Sequence, residues 1–267
     1  MSILDALDPK YRLILCDIWG VVHDGIELYP GAAKRLQEWK DEGRCVGLIT
    51  NAPRTQEAVE EQLDRLGLPR GCYDFVATSG EAGIEALTEL DSAVGFIGTP
   101  SDRAILEGRG VKIADAQNFS DLACTGIMQG RPKAEDYRSE LEQSAARGVT
   151  MHCLNPDRVV VRGDVLEACA GAIADLYIEL GGSVIWYGKP HPAIYRHALH
   201  RAGEPLAASV LAVGDSLQTD MLGAARQGFD AVFVAGGIHA GEEFPDDFAE
   251  TNGLGDWTPI GVVEGLA

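Results

Sequence analysis

Short apolar runs alternate with amphipathic stretches along almost the whole chain. Leu13-Ile14-Leu15 begins the first of them, and Arg12–Asp17 reads as a buried strand that ends in a carboxylate. Ala32–Glu42 has helical spacing, with Gly43 suited to stop it. Arg44–Thr50 predicts a second strand. Thr55–Leu66 predicts a helix: Thr55 suits the cap, Val59, Leu63 and Leu66 fall on one face, and Gly67 ends it. Asp74–Thr78 predicts a third strand. From residue 183 the rhythm returns. Ser183–Tyr187 predicts a strand, followed by a helix with Pro192 in its first turn and Gly203 beyond its end. Val210–Asp215 predicts a strand, Thr219–Arg226 a helix closed by Gly228, and Ala231–Ala235 the last core strand. Strands and helices in this order predict an α/β fold with a doubly wound, mainly parallel sheet.

The middle of the chain repeats the alternation independently. Val94–Gly98, Leu122–Met128 and Val149–Leu154 predict strands, and Ala134–Ala146 and Val165–Glu179 predict helices. Residues 79–182 are therefore expected to form an inserted α/β domain, with 1–78 and 183–267 forming the core that carries it.

Composition narrows the partners. The 267 residues are 46% hydrophobic, enough for a substantial core, and carry a net charge of −19. A surface so acidic repels nucleic acid and anionic membranes, so neither is an expected partner. An anionic small molecule is not excluded, because a bound cation can invert the field inside a cleft. The six cysteines form no C-x-x-C pair. Cys16, Cys45 and Cys153 lie in apolar runs and read as core residues, as do Trp39 and Trp186. With no leader or membrane-spanning pattern at the N-terminus, a cytoplasmic protein is expected.

Four segments sit at the ends of strands assigned to the core: Asp17-Ile18-Trp19-Gly20, Thr50-Asn51, Gly188-Lys189-Pro190, and Gly214-Asp215-Ser216-Leu217-Gln218-Thr219-Asp220. Parallel strands put their C-terminal ends on one edge, where open α/β sheets bind ligands. Carboxylates, a hydroxyl, an amide and one lysine gathered there suit an anion held beside a divalent cation, with a carboxylate nucleophile.

These four segments resemble, in order, the four motifs of the haloacid dehalogenase (HAD) superfamily of aspartate-nucleophile hydrolases. An α/β insert between the second and third motifs, with Ser79-Gly80-Glu81-Ala82 at its start and Asn155-Pro156-Asp157 within it, resembles class IIA, the NagD-like phosphatase branch. The resemblance implies an HAD-like core with an inserted α/β cap, and a small phosphorylated metabolite as substrate. It implies that Asp17 attacks phosphorus and becomes an aspartyl phosphate. Thr50 and Asn51 would hold the transferring phosphoryl group, and Lys189 would neutralise it and the nucleophile. Mg²⁺ would be held by Asp17, the backbone carbonyl of Trp19 and Asp215, with Asp220 anchoring that shell directly or through water. Asn155 and Asp157 would reach the substrate from the cap. The resemblance also allows a homodimer paired through the cap.

One position departs from the pattern. Phosphatases of the superfamily have an aspartate where this chain has Trp19, and that aspartate works as general acid and base. Losing such a group typically costs about 10²–10⁴-fold in rate. An indole N–H donates but does not titrate. His23 and Asp24 follow closely as replacement acids to be weighed. Two alternatives stay open beside a slow phosphatase: an aspartate-nucleophile hydrolase of a non-phosphoester bond, and a catalytically silent protein that binds phosphorylated ligands. The remaining signals read as structure. His197 and His200 share a helical face without a third ligand, Glu242–Asp247 reads as solvated surface, and Gly236-Gly237 as a turn.

Overall fold

The computed structural model describes residues 2–115, 118–128, 130–162, 165–237 and 244–267. In chain order it contains β1 (Leu13–Asp17), α1 (Ala32–Asp41), β2 (Cys45–Thr50), α2 (Gln56–Arg65), β3 (Phe75–Thr78), α3 (Ser79–Thr88), β4 (Gly95–Ile97), α4 (Pro100–Gly108) and β5 (Asp121–Cys124). There follow α5 (Arg138–Ala146), β6 (Thr150–Cys153), β7 (Val159–Arg162), β8 (Val165–Ala168), α6 (Ala170–Glu179), β9 (Ser183–Trp186), α7 (Pro192–Arg201), β10 (Val210–Gly214), α8 (Leu222–Gln227), β11 (Asp230–Val234), α9 (Phe248–Asn252) and β12 (Gly261–Val263). Among the described residues no helix is long and apolar enough to cross a membrane.

The chain divides into two compact units. The first, residues 1–50, 56–77 and 189–267, contains a six-stranded sheet in the order β12-β11-β10-β1-β2-β3. β1 pairs in parallel with both β10 and β2, and β11 pairs in parallel with β10 and β12. All five residues of β1 and of β10 are buried. Near-continuous apolar runs are what a central parallel strand covered on both faces requires. From β1 the chain winds outward to β2 and β3, and later returns on the other side of β1 as β10. The topological switch therefore lies between β1 and β10, and open α/β sheets bind ligands beyond the strands' C-terminal ends at such a point.

The second unit comprises residues 51–55 and 78–188. Its parallel sheet has the order β4-β5-β6-β9, and β7 and β8 form a separate antiparallel pair. Leu122, Cys124, Met151 and Cys153 on one face pack with Tyr137 and Leu141 and with Ile173, Ala174 and Tyr177.

Several expectations are corrected. Ser183–Tyr187, assigned by its pattern to the core sheet, pairs through β9 with β6 in the second unit's sheet. β9 is an edge strand whose residues alternate between exposed and half-buried, and Val184 and Trp186 pack on the second unit's cluster. Val165–Glu179 is not one helix: Val165–Ala168 pairs with Val159–Arg162, and the helix starts at Ala170 after an extended Cys169. Leu122–Met128 stops as a strand at Cys124. Ala231–Ala235 is not the last core strand, because β12 adds an edge beyond it. The turn at Leu217–Met221 is wider than an α-helix, with the Asp220 and Met221 amides both donating to the Ser216 carbonyl. Ser79-Gly80-Glu81-Ala82 opens a helix, capped by the Thr78 hydroxyl accepting from the Glu81 amide. Trp39 and Cys16 are fully buried as expected, and His197 is buried as well. Of the acidic run Glu242–Asp247, Glu242 and Glu243 lie outside the described residues.

Candidate active site

Asp17 is the last residue of β1, and its neighbour in register on β2 is Ile49, one position before Thr50. Asp215 follows directly on β10, the strand on the other side. The parallel register thus brings these chain segments to one edge of the sheet across the switch point. The wide turn after β10 delivers Asp220 to the same place. One carboxylate oxygen from each of Asp17, Asp215 and Asp220 lies within 4.8 Å of the others, and all three residues are buried.

Lys189 supplies the counter-charge. Its Nζ lies 2.6 Å from Asp17 Oδ1 and 2.7 Å from Asp220 Oδ1, and the lysine itself is only 3% exposed. Burial works to lower the Lys189 pKa, but the Asp17 and Asp220 charges outweigh it and raise it, so the ammonium stays protonated. Burial pushes the Asp17 carboxyl well above the usual carboxylate range, Asp220 and Asp215 add to the rise, and Lys189 opposes it. Asp220 is further held by the Ser216 amide at 3.3 Å from Oδ2. Three buried carboxyl groups thus share one ammonium, so the acidic groups outnumber the counter-charge. That imbalance and the all-oxygen donor set fit a divalent cation such as Mg²⁺.

The loop after β1 is folded on itself. The Ile18 carbonyl accepts from the Val22 and His23 amides, and the Gly20 amide donates to the His23 carbonyl. Gly20 has a φ of +92°, and a Cβ there would lie 2.1 Å from Asp215 Oδ2. Only glycine lets the Trp19–Gly20 backbone lie this close to Asp215. The Trp19 side chain is 36% exposed, with its ring edge-on to His23 at 5.4 Å between centroids. His23 is buried, its Nδ1 accepts from the Gly25 amide at 2.9 Å, and burial lowers its pKa, which leaves the imidazole neutral. Asp24 Oδ1 accepts from the Ile26 and Glu27 amides at 2.8 Å each, and those bonds hold its carboxyl below the usual range. Neither residue is set up as a proton donor.

Asn51, Asn155 and Asp157 belong to the second unit. Asn51 Nδ2 donates to Asp157 Oδ1 at 2.8 Å, and the Asp157 amide donates to Asn155 Oδ1 at 3.1 Å. These three candidates are thus brought together with one another, while Thr50, Lys189 and the aspartates lie in the first unit. His197 and His200 join no metal-binding group among the described residues.

Sequence reasoning missed two residues beside the aspartates. Gly237 sits where a Cβ would come within 2.4 Å of Asp215 Oδ2. A Gly-Gly pair directly after a core strand was the available signal. Tyr195 of α7 is buried, and its hydroxyl is pushed to a high pKa by burial and by Asp220. It lies in the helix after Pro192, where no motif signals it.

A family model described as haloacid dehalogenase-like hydrolase matches residues 14–112, and a second, described as HAD-hydrolase-like, matches 186–253. A haloacid dehalogenase-like hydrolase from Brucella suis 1330, known from its crystal structure, is 34% identical, with a TM-score of 0.84 over 99% of this chain and 98% of that one. Ribonucleotide monophosphatase NagD of Escherichia coli K12 is 28% identical over 84% of this chain and 88% of its own. An acid sugar phosphatase of Staphylococcus saprophyticus is 24% identical over 88% and 90%. A doubly wound parallel sheet with an inserted α/β unit and an acidic cluster at its switch point defines a class, and the matches say which. The chain belongs to the haloacid dehalogenase-like hydrolase family, in its class IIA, NagD-like branch.

Proposed function

We propose that the protein is a Mg²⁺-dependent phosphatase of small phosphorylated metabolites, working through an aspartyl phosphate on Asp17. The observation that carries this is the buried group of Asp17, Asp215 and Asp220, with the Lys189 ammonium against Asp17 and Asp220. The phosphatases among its relatives support the substrate class.

Asp17, Asp215 and the Trp19 carbonyl would hold the metal, with Asp220 behind them. When bound, Mg²⁺ neutralises the phosphate and the carboxylates that face it. Lys189 keeps one oxygen of Asp17 in place and offers its charge to the incoming phosphoryl group. In the first step an Asp17 oxygen bonds to phosphorus as the bond to the leaving oxygen breaks, and that oxygen departs with the electron pair. In the second, water attacks phosphorus, the bond to Asp17 breaks, phosphate leaves and the carboxylate is restored. Thr50, at the end of β2, and Asn51 after it are the groups for the non-bridging phosphoryl oxygens.

Trp19 shapes the substrate range. No titratable side chain stands at position 19, His23 is neutral and Asp24 is tied into its turn. The leaving oxygen therefore departs with little help, and esters of acidic alcohols, aryl phosphates above all, are the better substrates. The same observation favours, as the second reading, a protein that binds phosphorylated ligands with little turnover.

The test is phosphate release from an aryl phosphate, with and without Mg²⁺, for the wild type and Asp17→Asn. The reading expects release that needs Mg²⁺ and vanishes in Asp17→Asn. Mg²⁺-dependent thermal stabilisation by phosphorylated ligands without any release would favour the second reading instead.

A further inference from the structure

The second unit contains a chain of polar groups, buried at His152 and Tyr187 and half-buried at Asp121, that the reaction above does not use. In its parallel sheet, β5 and β6 align Ala123 with His152, and β6 and β9 align His152 with Ile185. Side chains alternate between faces along a strand, so Asp121, His152 and Tyr187 fall on the same face. They are joined end to end. The Tyr187 hydroxyl lies 2.8 Å from His152 Nδ1, and His152 Nε2 lies 3.0 Å from Asp121 Oδ1. Ser120 Oγ donates to Asp121 Oδ2 at 2.7 Å. The His152 and Tyr187 rings stack, 5.8 Å apart and 14° from parallel. Both are buried, at 4% and 5% exposure.

The proton directions follow from the end of the chain. Burial works to raise the Asp121 pKa, but the hydrogen bonds from His152 and Ser120 outweigh it and hold the carboxyl below its usual range, so it is ionised. An ionised carboxylate only accepts, so His152 Nε2 donates to Asp121, and Nδ1 shares the remaining hydrogen bond with the Tyr187 hydroxyl. Apolar residues would fill a sheet face without the desolvation that three polar side chains incur. What the network adds is a fixed geometry across three adjacent strands.

That geometry ends at one point of the chain. The Tyr187 amide continues the ladder, donating to the Cys153 carbonyl at 3.1 Å. At Gly188 a Cβ would lie 2.5 Å from both Asn51 Oδ1 and Pro156 Cδ, so the backbone there is packed without slack. The next residue is Lys189, where the chain enters the first unit.

We propose that Asp121, His152 and Tyr187 form a positioning relay for Lys189. They fix Tyr187 at the end of β9, two residues before the lysine, and with it the backbone that leads into Lys189. The three act through Lys189, and their effect on turnover rests on the phosphatase reading above. A displacement of the lysine by about 1 Å is enough to cost up to 10²-fold in rate.

The test compares Tyr187→Phe, Asp121→Ala and the conservative Asp121→Asn, whose side-chain oxygen still accepts from His152. Turnover of an aryl phosphate is measured together with melting temperature. In addition, an amine-reactive reagent labels the lysines and mass spectrometry reads each site, with exposed Lys34 as internal reference. The relay predicts that Tyr187→Phe and Asp121→Ala lower kcat about tenfold or more at nearly unchanged KM. Lys189 labels several times faster than in the wild type, Lys34 at the same rate, and Asp121→Asn restores most of both. If Lys189 labelling and kcat in Tyr187→Phe match the wild type, or fall only in proportion to unfolded protein, the relay merely stabilises the sheet and the proposal is overturned. A wild type without turnover would sink the phosphatase reading alone, because Lys189 labelling then decides the relay by itself.

Discussion

At position 19, where the resemblance would put a second acid to speed the departure of a poor leaving group, this chain has an indole. Its ring is half-exposed, edge-on to His23 and over Gly25, so it fills no sealed core position. Trp19→Asp therefore costs little packing, about 1 kcal/mol for the lost aromatic contact, and restores a titratable group near the leaving oxygen. Turnover of an alkyl phosphate should rise by about 10²-fold or more, while that of an aryl phosphate changes much less. Steady-state rates on the two ester types check this, and equal gains on both would contradict it. Residue identity was the most legible level of this chain. Asp17, Asp215 and Asp220 could be named from the segments at the ends of apolar runs, and the structure brings them together, with Lys189 against Asp17 and Asp220. His23 and Asp24 were different. Whether either could give up a proton depended on hydrogen bonds within the loop, which no spacing encodes.

At the scale of elements, the loop that follows β1 matters most. Its turn back onto Ile18 brings Gly20 against Asp215 with a positive φ. Gly20→Ala should destabilise the protein by about 1–3 kcal/mol from the backbone strain alone. It should also displace Asp215 and abolish Mg²⁺-dependent turnover. A melting curve beside the rate assay tests both, and a variant with wild-type stability and rate would show that the loop has room to spare. Buried strands were readable because β1 and β10 are covered on both faces and run continuously apolar. Partnership was less readable. β9 looks like any core strand by composition, yet pairs with β6, because what fixes a strand's neighbour is tertiary packing. β12, only three residues long, carried no periodicity to detect. The break between β8 and α6 was hidden by apolar residues that suit either element.

Over the whole molecule, acidity and chemistry meet at one place. A chain of net charge −19 gathers three buried carboxylates at the switch point between β1 and β10, with a single buried lysine among them. Crowding like charges in a buried place costs stability unless a cation joins them. Asp215→Asn should therefore raise the melting temperature of the metal-free protein, by roughly 1 kcal/mol or a few degrees. The same variant should lose most of the further rise that Mg²⁺ gives the wild type. Thermal melts of both proteins with Mg²⁺ and with a chelator provide the comparison. If the variant melts lower without metal, or keeps the full Mg²⁺ shift, the cluster is not the strained cation site described. The doubly wound fold was evident from strand and helix alternation. The order in which strands lie side by side, and hence the switch point itself, emerged only from the sheet.

The claim on which the rest depends is that Asp17 takes the phosphoryl group. An acid-quenched single turnover of an aryl ester labelled in its phosphoryl group, followed by peptide mapping, addresses it directly. The account predicts label on the peptide that contains Leu13–Asp17, present only with Mg²⁺ and absent from Asp17→Asn. Phosphate release that proceeds in Asp17→Asn, with no label on that peptide at any time, would contradict it.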